Sequence, residues 1–200
     1  EVEQREVQSN LYYIKYKIIG EDNFITIATT RPETMLGDTA VAVNPKDKRY
    51  QNLVGKFALV PIIERKVKII SDNYVSLDQG TGALKVTPAH DFNDFDIGRR
   101  HKLDFINIFE KNGKLNKNCP EKLIALDRFE ARKVIINLLK NNNILEKIEN
   151  INNVIPYGDR SNSIIEPLLT EQWFADAKIL AKKAIKVVKN KKTIFFPTNW

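Results

Sequence analysis

Residues 11–19, Leu11 to Ile19, mix apolar and polar side chains at short period, and residues 24–29, Phe24 to Thr29, do so again. A period near two puts successive side chains on opposite faces, so each run predicts a strand, and the intervening Gly20-Glu21-Asp22-Asn23 predicts a hairpin turn. Short β-rich runs follow at 39–43, 57–62, 66–71, 83–87 and 105–109, each bounded by Gly, Pro, Asn or Asp. Short strands at this spacing predict a compact β-barrel. Two short helices are expected to interrupt it. One runs from Pro45 to Leu53 with Gly55 behind it; the other runs from Asp91 to His101, with Asp91 placed to cap and Asp94 in the first turn.

At Asp127 the pattern changes. Asp127-Arg128-Phe129-Glu130 has the form of a capping box, and Ala131, Val134, Ile135, Leu138 and Leu139 then fall on one helical stripe. Asn141-Asn142-Asn143 is a natural stop, after which Ile144 to Ile151 alternates like a strand. A last helix is expected from about Gln172 to Lys189, burying Trp173, Ala177, Leu180, Ala184 and Val188. The expected fold is therefore α+β: a β-barrel-like domain with inserted and peripheral helices over residues 1–150, then a small helical and strand extension over 151–200.

With 200 residues, 42% of them hydrophobic and 28% charged, the chain is long enough for one sizeable core and an appended subdomain. Its unbroken apolar stretches are only a few residues long, far short of the roughly 20 that a membrane-spanning helix needs, and no signal-peptide pattern opens it. No membrane partner is expected. The single Cys119 excludes an internal disulfide, and with only two histidines a Cys/His zinc site is not expected; the reading favours a reducing cytoplasm. A chain that opens at Glu1 without methionine and stops just after a strand-like run reads as a piece of a larger protein. The net charge of +7 favours an anionic partner such as nucleic acid, and seven lysines against Glu171 and Asp176 put +5 of it beyond residue 170. A lysine-rich helix can equally be a solvated face.

Three polar clusters interrupt the apolar, strand-forming sequence: Thr29-Thr30-Arg31-Pro32-Glu33-Thr34, then Leu36-Gly37-Asp38-Thr39-Ala40, then the run from Lys85 through Thr87, Pro88, His90 and Asp91 to Asp94. Proline fixes the backbone beside hydroxyls and carboxylates in two of them, as a preorganised pocket requires. Taken singly, each also has a plain structural reading, in which Asp91 caps a helix and the threonines fill β positions. No G-x-S-x-G elbow, H-E-x-x-H pair or phosphate-binding Walker loop is present, which disfavours covalent serine catalysis. His90, Asp91 and Asp94 crowd one turn and make a poor metal shell, so neither a metal nor another cofactor is expected. Cys119 has no histidine within ten residues and reads as an ordinary loop thiol.

Three runs, ATTRPETMLGDTAVAV at 28–43, GTGALKVTPAHD at 80–91 and IEPLLTEQWF at 165–174, resemble the editing insertion of class I aminoacyl-tRNA synthetases, most closely that of the valyl enzymes. The resemblance covers nearly the whole chain. Leucyl relatives share the Pro-Ala-His-Asp core but prefer another residue at position 33, and isoleucyl relatives usually carry a Gly-His pair there. The resemblance implies hydrolysis of mischarged threonyl-tRNA specific for valine, with that tRNA's acceptor end and the parent catalytic core as partners. Residues 151–200 would then lead back toward that core. The H-I-G-H and K-M-S-K-S signatures of amino-acid activation are missing, so the segment is expected to edit and not to ligate. Where some relatives carry a zinc-binding C-x-x-C, Gly158 and Ser161 stand in the cysteine positions.

Valine and threonine are nearly isosteric, and in the measured valyl case an apolar pocket rejects threonine by only about a hundredfold. A second site can do better by offering buried polar groups that only the threonine hydroxyl satisfies. The resemblance implies that Asp94 holds the substrate α-ammonium and that Asp91 and Lys85 read the hydroxyl. Thr34 is grouped with these as catalytic, while Thr29, Thr30, Arg31, Glu33, Asp38 and His90 are expected to bind substrate. Asp94 is further expected to face solvent, so that its replacement would leave the fold's stability almost unchanged. The competing readings are a non-catalytic tRNA-binding module and the editing domain of a leucyl or isoleucyl relative.

Overall fold

The computed structural model describes residues 1–197 and contains a curled mixed sheet. Its strands are β1 (Val2–Ile18), β2 (Phe24–Thr29), β3 (Ala40–Val43), β4 (Phe57–Val60), β5 (Arg65–Ser71), β6 (Ala83–Val86) and β7 (Leu145–Gly158). The order is β2-β1-β4-β5-β3-β6, with β7 on β1, and the end strands β2 and β6 come into contact as the sheet curls into a half-barrel. The α+β architecture expected from the sequence is thus present. The helices are α1 (Phe92–His101), α2 (Arg128–Asn141) and α3 (Ala177–Lys189).

The predicted hairpin pairs β1 with β2 in antiparallel register from Tyr12↔Thr29 to Lys17↔Phe24. Alternation works as expected in β1, where Tyr12, Ile14, Tyr16 and Ile18 are buried. The strand starts at Val2, nine residues before the predicted start at Leu11, because β7 supplies ladder partners from Val2↔Gly158 to Ile14↔Leu145. A polar, weakly patterned segment becomes a strand when its backbone groups find a partner strand. β3 is the opposite case. Ala40, Val41, Ala42 and Val43 are all fully buried, as in a strand covered on both faces: the two valines belong to the main core and the two alanines to a second cluster with Ile70, Val86 and Ile97.

Two predicted elements do not form. Between Pro45 and Leu53 there is only a 3₁₀ turn at Gln51–Leu53, because Asn44 Oδ1 accepts the Lys46 N–H and Asp47 Oδ1 accepts the Arg49 N–H. Such side-chain bonds compete with a helical backbone. The run at 105–109 makes a single bridge, Phe109↔Leu115. Its neighbouring backbone groups are taken by side chains instead: His90 Nε2 accepts the Ile108 N–H, and the Asn116 and Asn118 amides donate to the Asn107 carbonyl.

α1 and α2 form where expected. The Asp91 side chain caps α1 by accepting the Asn93 and Asp94 N–H groups, and Asp127 caps α2 by accepting the Phe129 N–H. α2 buries Ala131, Ile135 and Leu139, whereas Val134 is 38% exposed. Gly98 allows α1 its close approach to the loop before it, since a Cβ there would lie 2.8 Å from the Pro88 ring. The backbone divides into units Glu1–Leu169 and Thr170–Trp200, and β7 runs through residue 150 because it pairs with β1 on both sides of that point, with one register shift at its start near Glu146. In the second unit α3 starts at Ala177, and none of its residues is buried, unlike the stripe expected from the sequence. Among the described residues no helix is long and apolar enough to cross a membrane.

Candidate active site

Where β2 and β6 meet, both strands end in polar sequence. β2 passes through Thr29-Thr30-Arg31 into a 3₁₀ turn at Pro32–Gly37, and β6 passes through Thr87-Pro88-Ala89-His90 into the Asp91 cap of α1. Between them lies a cavity of about 200 Å³. Eight of the ten residues singled out from the sequence line it: Thr29, Thr30, Arg31 and Thr34 from the β2 side, and Lys85, His90, Asp91 and Asp94 from the β6 side.

Glu33 and Asp38 do not line it. Glu33 is fully buried and points at α2, where its two oxygens accept from Arg132 Nε and Nη2 at 2.7 and 2.6 Å. It holds the 3₁₀ turn to the helix. Asp38 is also fully buried and lies beneath the cavity: Oδ2 accepts from the Tyr16 hydroxyl at 2.7 Å, and Oδ1 accepts from the Thr87 hydroxyl at 2.6 Å and from Lys85 Nζ at 3.2 Å. Burial pushes its carboxyl above the usual range, and Lys85 and the two hydroxyls pull against that. Lys85 Nζ also donates to the Thr87 hydroxyl oxygen, so Asp38, Thr87 and Lys85 form one connected polar floor.

Asp94 is not solvent-facing as expected; it is 6% exposed. The Thr87 N–H donates to its Oδ2 at 2.8 Å, while Oδ1 has no hydrogen-bond partner among the described residues. Its place in the first turn of α1 turns the carboxylate inward, onto the end of β6. Burial is the main reason that its pKa is raised to about 7, with Lys85 and the Thr87 N–H opposing and Asp91 and Asp38 adding to the rise. A carboxyl held near neutrality in a polar cavity is a functional-site signature.

His90 lines the cavity with its ring nitrogens turned to backbone groups. Its Nε2 accepts the Ile108 N–H at 2.9 Å, which leaves Nδ1 as the protonated nitrogen facing the Pro167 carbonyl at 3.5 Å, and its ring packs edge-on to Phe109. Burial pushes its pKa down to about 4, against the pull of the Pro167 carbonyl, so it is neutral at pH 7. With both nitrogens committed to backbone, it anchors two loops and is unavailable as a general base. Asp91 spends Oδ1 on the helix cap. Arg31 donates from Nη1 to the His90 carbonyl at 3.0 Å and from Nη2 to Glu166.

The sequence reading passed over Thr87, Tyr74 and Asn93 as individual site residues, though all three line the cavity. Thr87 stood inside a polar cluster and was readable; Tyr74 follows β5 in a turn in which Asp72 Oδ1 accepts its N–H, and no motif marks it. A wider groove of about 830 Å³ shares Thr30, Arg31, Asp91 and Asn93 with the cavity and extends past Phe92, Arg132 and Pro156. Among the described residues no cluster of three or more His, Cys, Asp or Glu could hold a metal ion. Cys119 is buried, and burial pushes its thiol up to about 11, away from the thiolate form.

Comparison with known proteins adds to this geometry. The family model described as the leucyl-tRNA synthetase editing domain matches residues 51–153. A valine–tRNA ligase of Pelagibacter ubique is 64% identical over the whole chain, which spans 23% of that relative's length. The corresponding ligase of Pseudothermotoga lettingae is 50% identical, again over the whole chain and 23% of its own length. Among solved structures, the Agrobacterium radiobacter K84 agnB2 LeuRS in a ternary complex with tRNA and LeuAMS has a TM-score of 0.55 at 19% identity, covering 74% of this chain and 20% of that one. That likeness speaks for the fold alone.

Proposed function

The chain belongs to the editing domains of class I aminoacyl-tRNA synthetases, and from that premise we propose that its cavity hydrolyses the ester of threonyl-tRNA specific for valine. The observation that carries this reading is Asp94, a buried carboxylate with one unpartnered oxygen beside the polar floor of Asp38, Thr87 and Lys85. In the proposed complex the ionised Asp94 accepts a charge-assisted hydrogen bond from the substrate α-ammonium. The threonine hydroxyl exchanges hydrogen bonds with Lys85 and Thr87, with Asp91 at the rim. Valine offers no hydroxyl, so its entry would leave desolvated polar groups unpaired, at roughly 1–3 kcal/mol each.

An aminoacyl ester is already activated, and no serine or cysteine with a base beside it lines the cavity. A positioned water, with the developing oxyanion stabilised by nearby donors, suffices. Thr34 and Thr29 are the hydroxyls proposed to orient that water, and Thr30 and Arg31 to meet the terminal nucleotide where the cavity opens into the wider groove. The partners proposed are the acceptor end of the valine tRNA and the catalytic core of the longer protein.

The pH profile of threonyl ester hydrolysis tests this assignment. The ammonium is bound by ionised Asp94, so kcat/KM is expected to climb as pH rises, about tenfold per unit below the pKa of about 7, and then to level. Valyl-tRNA is expected to survive throughout. A flat profile between pH 5 and pH 8 would contradict the role given to Asp94, trapping of a covalent acyl-enzyme would overturn the water mechanism, and binding without turnover would favour a non-catalytic module.

A further inference from the structure

The segment Ile164–Leu168 crosses the side of the site outside any helix or long strand, and it is tied down from Ile164 to Pro167. The Ile165 N–H donates to the Pro156 carbonyl at 2.9 Å, Arg128 Nη2 donates to the Ile164 carbonyl at 3.0 Å, and the Pro167 carbonyl faces His90 Nδ1. At its centre is Glu166, with its side chain 13% exposed and between two arginines: Oε2 pairs with Arg31 and Oε1 lies 3.2 Å from Arg128 Nε. The Arg31 guanidinium is thereby held at both ends, by Glu166 through Nη2 and by the His90 carbonyl through Nη1. Arg31 lines the small cavity and the wider groove alike, so the place of its charge is set by a carboxylate that lines the groove but not the cavity.

We infer that Glu166 is a positioning residue for ester hydrolysis, fixing the Arg31 guanidinium where the substrate's phosphate-bearing terminal nucleotide passes from groove to cavity. This rests on the ester-hydrolase reading. A guanidinium pinned by two acceptors has little rotamer freedom left to lose when it meets an anion, whereas a free one must be ordered on binding. Removing the Glu166 charge should therefore act through Arg31 and nowhere else in the chemistry.

The test is a double-mutant cycle on threonyl-tRNA hydrolysis with Glu166→Gln, Arg31→Ala and the pair together, with thermal unfolding followed for each. Glu166→Gln is expected to lower kcat/KM about tenfold and Arg31→Ala more, and the pair no more than Arg31→Ala alone. If Glu166→Gln does not fold, Glu166→Asp replaces it; this keeps the charge but withdraws it by one methylene, and the same non-additive loss is expected. Losses that multiply in the pair, or a folded Glu166 variant within about twofold of the unmodified chain while Arg31→Ala is impaired, would overturn the inference. An unmodified chain that folds and cleaves no ester would instead sink the hydrolase reading itself.

Discussion

Asp94→Asn is expected to lower kcat/KM for threonyl ester hydrolysis by roughly 10²–10³-fold while the folded chain, above pH 7, becomes at least as stable as before. The catalytic loss follows from removing the one anion proposed to meet the α-ammonium, since charge-assisted bonds in dry sites are the strong ones. The stability gain follows from burial. Asp94's folded pKa of about 7 lies above its ordinary value of 3.8, so the folded state holds that proton more tightly than the unfolded chain does. Its contribution is fully present below the ordinary value and is lost as pH rises through about 7, by roughly 4 kcal/mol at most across that window. Asparagine is neutral and can still accept the Thr87 N–H through its amide oxygen, so it escapes that loss. Thermal unfolding above pH 7 and below pH 5 separates the effects: the advantage of the asparagine variant should shrink toward acid. Asp94→Ala should lose activity equally but orphan the Thr87 N–H, at about 1–3 kcal/mol.

Glu33→Ala is expected to destabilise the chain by about 3–5 kcal/mol, the range for leaving one member of a buried ion pair without its partner. Glu33 is fully buried, and its two bonds to Arg132 are what join the 3₁₀ turn carrying Thr34 to α2. In a domain of this size that loss lowers the melting temperature by roughly 6–20 °C. Replacing both partners together with apolar residues, Glu33→Met and Arg132→Leu, should recover much of it, because the larger part of the penalty comes from the stranded charge. Chemical denaturation of the three variants measures this directly. Activity lost by Glu33→Ala should return with the fold in the double variant, as befits a residue outside the cavity.

The parts of the molecule that were legible beforehand are those in which local chemistry decides the outcome. The β1–β2 hairpin, the Asp91 and Asp127 caps and the α2 stripe each follow from a few neighbouring residues, and the polar clusters at 29–34 and 85–94 do meet in one cavity. What a linear reading could not supply is the direction of burial. Asp94, expected to face solvent, is instead carried inward where α1 packs through Gly98 onto Pro88. Glu33 and Asp38 sit within the right motifs but serve Arg132 and Tyr16, partners 99 and 22 residues away. His90 has the chemistry of a base, and only the loop at 106–109 and the segment at 164–168 reveal that both its nitrogens are spoken for. The long pairing of β1 with β7 joins the chain's first residues to its 158th, a distance at which no short pattern carries information.

The most direct test of the central claim is single-turnover release of labelled threonine from threonyl-tRNA specific for valine, with valyl-tRNA and the Asp94→Asn chain run beside it above pH 7. The account predicts threonine release by the unmodified chain, survival of the valyl ester, and an Asp94→Asn chain that is folded and all but silent. Equal cleavage of both esters, or undiminished release by Asp94→Asn, would contradict it.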